Sequence, residues 1–290
     1  MNSSITKSEI NRIPDNNLQC LLNSKKLHLI LDLDHTLVHS RMLHKLTSTE
    51  KETIDSNTNS NSIEDNVYKI CGGNCVVKLR PGVREFITLV SSMFELSIYT
   101  MGSRYYAQQV HELLVSKAGF PSNCSIVVRE DCVKERRKGF DNVVLSHEQV
   151  VVIVDDTEKI WEESCKRNLL KIGGYNYFPI KEGFDDQEVV DTELARVFRV
   201  LMLVHTLFYD DSFVINNGWS RDYGSRDVRD VLEAVLISSV SGCGDKRGDA
   251  VCSKKRSRDS TIACVQTEVK RSRTSVDYVV DSVQLASVVH

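Results

Sequence analysis

The sequence predicts an α/β domain of three layers, a Rossmann-like central parallel sheet between helices, on three observations. Leu27–Leu31, Phe94–Tyr99 and Val150–Val154 are apolar runs of strand length, continuous enough to be buried on both faces. Segments with helical spacing alternate with them, as parallel strands joined by crossovers require. Each run also stops on residues suited to chemistry: Asp32 and Asp34, then Thr100, then Asp155 and Asp156. Open α/β sheets place ligands beyond the carboxyl ends of their strands, so these three endings converge on one edge.

The elements follow in order. Residues 1 to 24 read as a loosely ordered lead-in before the first strand at Leu27–Leu31, and Ser48 to Asn66 reads as a solvated loop rich in Ser, Thr, Asn and Glu. Val76 to Leu79 is a short strand; Pro81 and Gly82 turn the chain into a helix over Val83 to Ser92, with Val83, Phe86, Ile87 and Val90 on one face. After the Phe94–Tyr99 strand, Ser103 stands as N-cap of a helix over Arg104 to Ser116. Ser125 to Val128 is a third strand, and the charged stretch Arg129 to Gly139 a surface excursion. Beyond Val154, Asp155-Asp156-Thr157 suit the N-cap of a helix over Glu158 to Cys165, Leu169 to Ile172 is a short strand, and Tyr175 to Phe178 an aromatic loop. An amphipathic helix, Leu194 to Phe208, closes the domain. Three segments result: a flexible N-terminus (1–20), a catalytic domain (21–211) and a mostly disordered basic tail (212–290), with a weak helix at Val228 to Val240.

The strand ends carry a chemical reading. Asp32, close to a metal, stays ionised and can attack phosphorus, while Asp34 gives a proton to the leaving oxygen and later takes one from water. The Thr36 hydroxyl steadies the turn or helps position Asp34. Like charge opposes a carboxylate approaching a phosphate dianion, and a divalent cation on hard oxygens relieves that repulsion; magnesium suits such ligands. Asp32, Asp156 and the backbone carbonyl of Asp34 are the candidate ligands, with Asp155 ligating or orienting the others. Thr100 offers a hydroxyl to the phosphate, and Lys134, Lys138 and Lys159 are candidates for its cation.

Leu31-Asp32-Leu33-Asp34-His35-Thr36-Leu37 resembles the nucleophile motif of the haloacid dehalogenase-like phosphatases. Leu79-Arg80-Pro81-Gly82-Val83, Tyr99-Thr100-Met101-Gly102, Val128-Arg129-Glu130-Asp131, Lys138-Gly139-Phe140-Asp141, Val154-Asp155-Asp156-Thr157 through Trp161, and Tyr175-Asn176-Tyr177-Phe178 follow in order. Together, over residues 21 to 210, they are similar to one branch of that superfamily, the C-terminal-domain phosphatases of RNA polymerase II, of the transcription-factor-IIF-associating type and its short plant-style paralogues. The resemblance implies a haloacid dehalogenase fold without a large cap. It implies Asp32 as phosphorylated nucleophile, Asp34 as general acid and base, Thr100 and Lys138 on the phosphate, and magnesium held by Asp32, Asp34 and Asp156 with Asp155. It further implies phosphoserine in the polymerase tail as substrate, with general transcription factors as further partners. A polar loop, rather than a folded cap, between the first and second motifs agrees with an open site that admits a peptide. Larger members carry a BRCT-like module after the catalytic domain, and residues 211 to 290 are too short and polar for one. The rival reading is a non-catalytic phosphopeptide-binding scaffold that keeps the fold.

Bulk properties narrow the class. A net charge of −3 over 290 residues singles out neither nucleic acid nor a membrane as partner, and no stretch has the apolar length of a membrane span. Met1 to Asn17 lacks the apolar core of a signal peptide, and nine scattered cysteines have no disulfide-framework spacing, which fits reduced thiols in the cytosol or nucleus. Cys71 and Cys75 have no matching pair and read as loop thiols. The clusters Lys254-Lys255-Arg256-Ser257-Arg258 and Lys270-Arg271-Ser272-Arg273 lack interleaved aromatics, so nuclear import is favoured over direct nucleic-acid binding.

Overall fold

In the computed structural model, residues 7–57, 67–133, 136–142, 147–178, 191–216, 218 and 220–241 are described. Five strands form the central sheet: β1 (Leu27–Leu31), β5 (Phe94–Tyr99), β6 (Ile126–Val127), β7 (Val151–Asp155) and β8 (Leu169–Lys171), in the order β6-β5-β1-β7-β8, all parallel. β1 is the middle strand, flanked by the two others whose ends carry site residues. The β1–β5 register sets Leu31 beside Ile98, and the β1–β7 register sets Leu31 beside Val154. The three chains therefore leave the sheet side by side.

Alternate strand residues feed two cores, as a pleat requires. Leu29, Leu31, Ile98, Val152 and Val154 join the larger one, with the buried faces of α1 (Lys7–Asn23), α3 (Val83–Ser91), α4 (Arg104–Ala118), α5 (Thr192–Tyr209) and α7 (Val228–Ser241). Ile30, Tyr99, Val151 and Ile153 point the other way, where Trp161, Cys165 and Leu169 close over them. The expected faces hold: Val83, Phe86, Ile87 and Val90 are buried on α3, and Ser103 caps α4 by accepting from the Tyr106 N–H.

A second sheet forms on either side of the segment expected as a polar loop, Ser48 to Asn66, of which residues 58–66 lie outside the described residues. It has three antiparallel strands, β2 (Val38–Met42), β3 (Val67–Ile70) and β4 (Cys75–Leu79), in the order β2-β4-β3. A helix, α2 (Ser48–Asn57), precedes β3. Its start is a capping box: the Glu50 N–H donates to Thr47 Oγ1, and the Thr47 N–H donates to Glu50 Oε2 at 2.7 Å. Ile54 then anchors it in a small core with Leu46, Val67, Val76 and Phe178. This is a compact flap, not a large cap.

Other expectations give way for physical reasons. From Lys7 the lead-in is helical, because Leu18, Leu21 and Leu22 lie at helical spacing and bury in the core with β1. The fold also continues past residue 211, through the short α6 (Asp211–Asn216) and α7; the helix expected at Val228 to Val240 is present as α7, and its Val228, Val231, Leu232 and Val235 form a buried stripe. Burial of each such side chain stabilises by about 1.5–3 kcal/mol, more than helix propensity alone would suggest for this segment. Glu158–Cys165 forms 3₁₀ turns at Glu158–Ile160 and Glu163–Asn168 in place of the expected α-helix. The basic clusters at 254–258 and 270–273 lie outside the described residues, as do Lys134, Cys243, Cys252 and Cys264. No helix among the described residues is long and apolar enough to cross a membrane.

Candidate active site

The ends of β1 and β7 bring three carboxylates together. Oxygen atoms of Asp32, Asp155 and Asp156 all lie within 4.8 Å of one another. Asp32 and Asp155 are buried and Asp156 is partly exposed, so the cluster reaches solvent through Asp156. Lys138 enters from the stretch expected to be a surface excursion, yet its side chain is 0 % exposed. Its Nζ donates to Asp32 Oδ1 at 2.7 Å and to Asp155 Oδ2 at 2.6 Å. The Lys138 N–H donates to the Ile160 carbonyl and the Glu162 N–H to the Lys138 carbonyl, and this stitch turns the lysine inward.

Asp155 is the most heavily bonded acid. Besides Lys138, its Oδ2 accepts from Trp161 Nε1 at 2.9 Å, and its Oδ1 accepts from the Thr157 N–H at 2.7 Å. Trp161 meets Tyr99 edge-to-face at 5.2 Å, and the Lys138 ammonium lies over both rings. An aromatic wall thus shields the ion pairs from water and strengthens them. With the Asp155 oxygens so engaged, Asp32 and Asp156 have the freer oxygens.

Charge balance at the cluster is incomplete. Three carboxylates against one ammonium leave two negative charges when all are ionised. Burial drives the Asp32 carboxyl well above the ordinary range; Lys138 opposes this, and the charges of Asp155 and Asp34 add to it. Burial and then Asp155 likewise raise Asp156. Burial alone would depress the Lys138 ammonium, but Asp32 and Asp155 overcome it and its pKa moves up, so the lysine stays charged. A hard divalent cation supplies the charge this all-oxygen donor set is missing, so the residues fit one.

Asp34 stands apart from that group. Its Oδ1 accepts from the Tyr106 hydroxyl at 2.6 Å and from Ser40 Oγ at 2.8 Å. Thr100 is buried at the end of β5, and its Oγ1 accepts from the Gly102 N–H at 3.0 Å. Thr36 is fully buried, but among the described residues its hydroxyl has no hydrogen-bond partner, so it does not hold Asp34. Cys71 and Cys75 join no metal-binding group among the described residues.

Arg80, quoted above only as part of a motif, buttresses the site from beneath. β2 pairs with β4, and the Arg80 N–H continues the ladder to the Leu37 carbonyl, which delivers the guanidinium beneath the aspartate turn. There it donates to the carbonyls of Thr36 at 3.1 Å and Gly173 at 2.9 Å, and pairs with Asp191. His35, held at φ 61°, exchanges hydrogen bonds with Tyr175, binding the aromatic loop to the same turn. The Arg-Pro-Gly string was the available signal, but the partners lie far along the chain.

Residues 27–210 match the NLI interacting factor-like phosphatases. The chain belongs to that family. Its relatives include the Arabidopsis thaliana RNA polymerase II C-terminal domain phosphatase-like 4, 34% identical over 82% of this chain and 56% of that protein. The RNA polymerase II C-terminal domain phosphatase-like 3 of the same plant is 26% identical over 82% of this chain and 20% of its own length. The chain thus spans little more than half of the first relative and a smaller share of the second. Among solved structures, Fcp1, an essential RNA polymerase II CTD phosphatase, superposes with a TM-score of 0.60 at 20% identity, covering 79% of this chain and 75% of that one. A fission yeast Fcp1 variant bound to beryllium fluoride gives 0.59 at 19% identity, covering 87% of this chain and 84% of its own. That likeness establishes the fold expected from the sequence, a haloacid dehalogenase-like parallel sheet flanked by helices.

Proposed function

We propose that this chain is a magnesium-dependent protein serine phosphatase acting on the phosphorylated C-terminal heptad repeats of RNA polymerase II in the nucleus, through an aspartyl-phosphate. One observation carries the chemistry: Asp32, Asp155 and Asp156 share a cluster with Lys138 bridging two of them. The names of the relatives support the substrate class. General transcription factors remain candidate partners on the resemblance alone.

In this reading Asp32 attacks phosphorus with its free oxygen while Lys138 holds the other in place. The bond from phosphorus to the seryl oxygen breaks, and Asp34 gives that oxygen its proton. A water then attacks the aspartyl-phosphate, passing its proton to Asp34, and the bond from phosphorus to Asp32 breaks to release phosphate. Thr100 keeps its own hydroxyl proton for a phosphate oxygen while it accepts from Gly102. Asp32, Asp156 and the Asp34 carbonyl would hold magnesium, with Asp155 in support. Bound there, the ion neutralises part of the charge between nucleophile and phosphate dianion.

The test is hydrolysis of phosphoserine heptad peptides with and without magnesium. Wild type should release phosphate only with the ion, and Asp32→Asn should release none. Turnover by Asp32→Asn at the wild-type rate would contradict the assignment.

A further inference from the structure

Asp34 meets two hydroxyl donors that the reaction scheme above does not use. Both fall on one oxygen: the Tyr106 hydroxyl at 2.6 Å and Ser40 Oγ at 2.8 Å, each on Oδ1. Among the described residues no donor reaches Oδ2. We propose that Tyr106 and Ser40 are positioning residues, which clamp Asp34 by Oδ1 so that Oδ2 faces the scissile bond and exchanges the proton with the seryl oxygen. This rests on the phosphatase reading.

The two donors come from independent parts of the fold. Tyr106 stands in the first turn of α4, placed by the Ser103 cap. Ser40 lies on β2, fixed opposite Val77 in the small sheet. An aspartate side chain presents either oxygen by rotating about its terminal torsion, which is broad and nearly two-fold. Two donors converging on one oxygen from different directions remove that freedom. The small sheet thereby acquires a task beyond covering the core.

Gly102 supplies a second observation. A Cβ there would come within 2.6 Å of Tyr106 Cδ1 and 3.1 Å of Cε1. The ring lies flush on the glycine, so the absence of a side chain at Gly102 lets the Tyr106 hydroxyl reach Asp34. The Gly in Tyr-Thr-Met-Gly thus has a steric purpose tied to the general acid.

The experiment uses the dependence of rate on the leaving group. A p-nitrophenolate departs without a proton, whereas phenolate and seryl oxygens need one. The quantity read is kcat/KM, which ends with phosphoryl transfer to the enzyme, for substituted phenyl phosphates of rising leaving-group pKa and for a phosphoserine heptad peptide. Tyr106→Phe should leave p-nitrophenyl phosphate within about threefold of wild type and slow the poorest leaving groups by about 10- to 100-fold, part of the roughly 10²–10⁴ that positioned proton transfer supplies. The plot against leaving-group pKa should steepen, and Gly102→Ala should steepen it too. Ser40→Ala should do so to a smaller degree, and it carries the test if thermal melting shows that Tyr106→Phe does not fold. An unchanged slope overturns the proposal, whether the variant loses activity equally on all substrates or only on the peptide. If wild type turns over none of these compounds, the phosphatase reading fails and this inference fails with it.

Discussion

Lys138 Nζ lies 2.6 Å from Asp155 Oδ2, and neither side chain is exposed to solvent. Taking an ion pair out of water is costly, and the pair holds only because Asp32, Trp161 and Thr157 complete its bonding. Lys138→Met would therefore leave two buried carboxylates uncompensated. We expect a loss of about 3–5 kcal/mol in urea unfolding and no measurable phosphatase activity. Full stability in this variant would show that the pair is not formed as described.

Trp161 donates the one indole hydrogen bond in that network. Trp161→Phe keeps most of the ring packing against Tyr99 but removes the donor to Asp155. A hydrogen bond to a charged group contributes roughly 1.5–3 kcal/mol. Chemical denaturation should report a loss in that range, accompanied by a fall in kcat as the Asp155 carboxylate loses its alignment.

The Arg80 guanidinium pairs with Asp191 and holds the carbonyls of Thr36 and Gly173 from within the fold. Arg80→Ala and Asp191→Ala should each destabilise by more than about 2 kcal/mol, since each strands a charge and its acceptors. The double variant should cost clearly less than the sum of the two, a coupling that a double-mutant cycle in urea measures directly. Additive losses would argue that the two residues act separately.

Much of this site was legible because strand ends are marked in sequence. Leu27–Leu31 and Val151–Asp155 are buried throughout, so their apolar runs identified them and the acids that follow. β2 and β3 carry no such mark: Val-His-Ser-Arg-Met and Val-Tyr-Lys-Ile are mixed in polarity and gain their shape from pairing with β4. Lys138 sat in a charge run whose composition suggested solvent, and only the backbone stitch to Ile160 and Glu162 turns it inward. α2 was missed because its segment was read from its polar composition alone, although Thr47-Ser48-Thr49-Glu50 is a capping-box pattern. Tyr106 and Ser40 meet Asp34 through tertiary packing that no local pattern encodes.

Acid sensitivity should trace in part to His28. It is buried on β1 with Nε2 2.7 Å from Ser97 Oγ, and burial lowers its pKa from 6.5 to about 4. Between those values the unfolded chain takes up a proton that the folded one excludes. The stability this group contributes is therefore complete above about pH 6.5 and is lost as pH falls toward 4. Wild type should lose about 2–3 kcal/mol more than His28→Asn between pH 7 and pH 4.5 in urea titrations. Parallel pH profiles for the two proteins would remove His28 as the cause.

The most direct measurement concerns Asp32 itself. Wild type mixed with a phosphoserine peptide and magnesium, quenched during turnover and reduced with borohydride, should carry homoserine at position 32, the reduction product of an aspartyl-phosphate. Phosphate release with an unmodified Asp32, or homoserine at another position, would contradict nucleophilic attack by this residue.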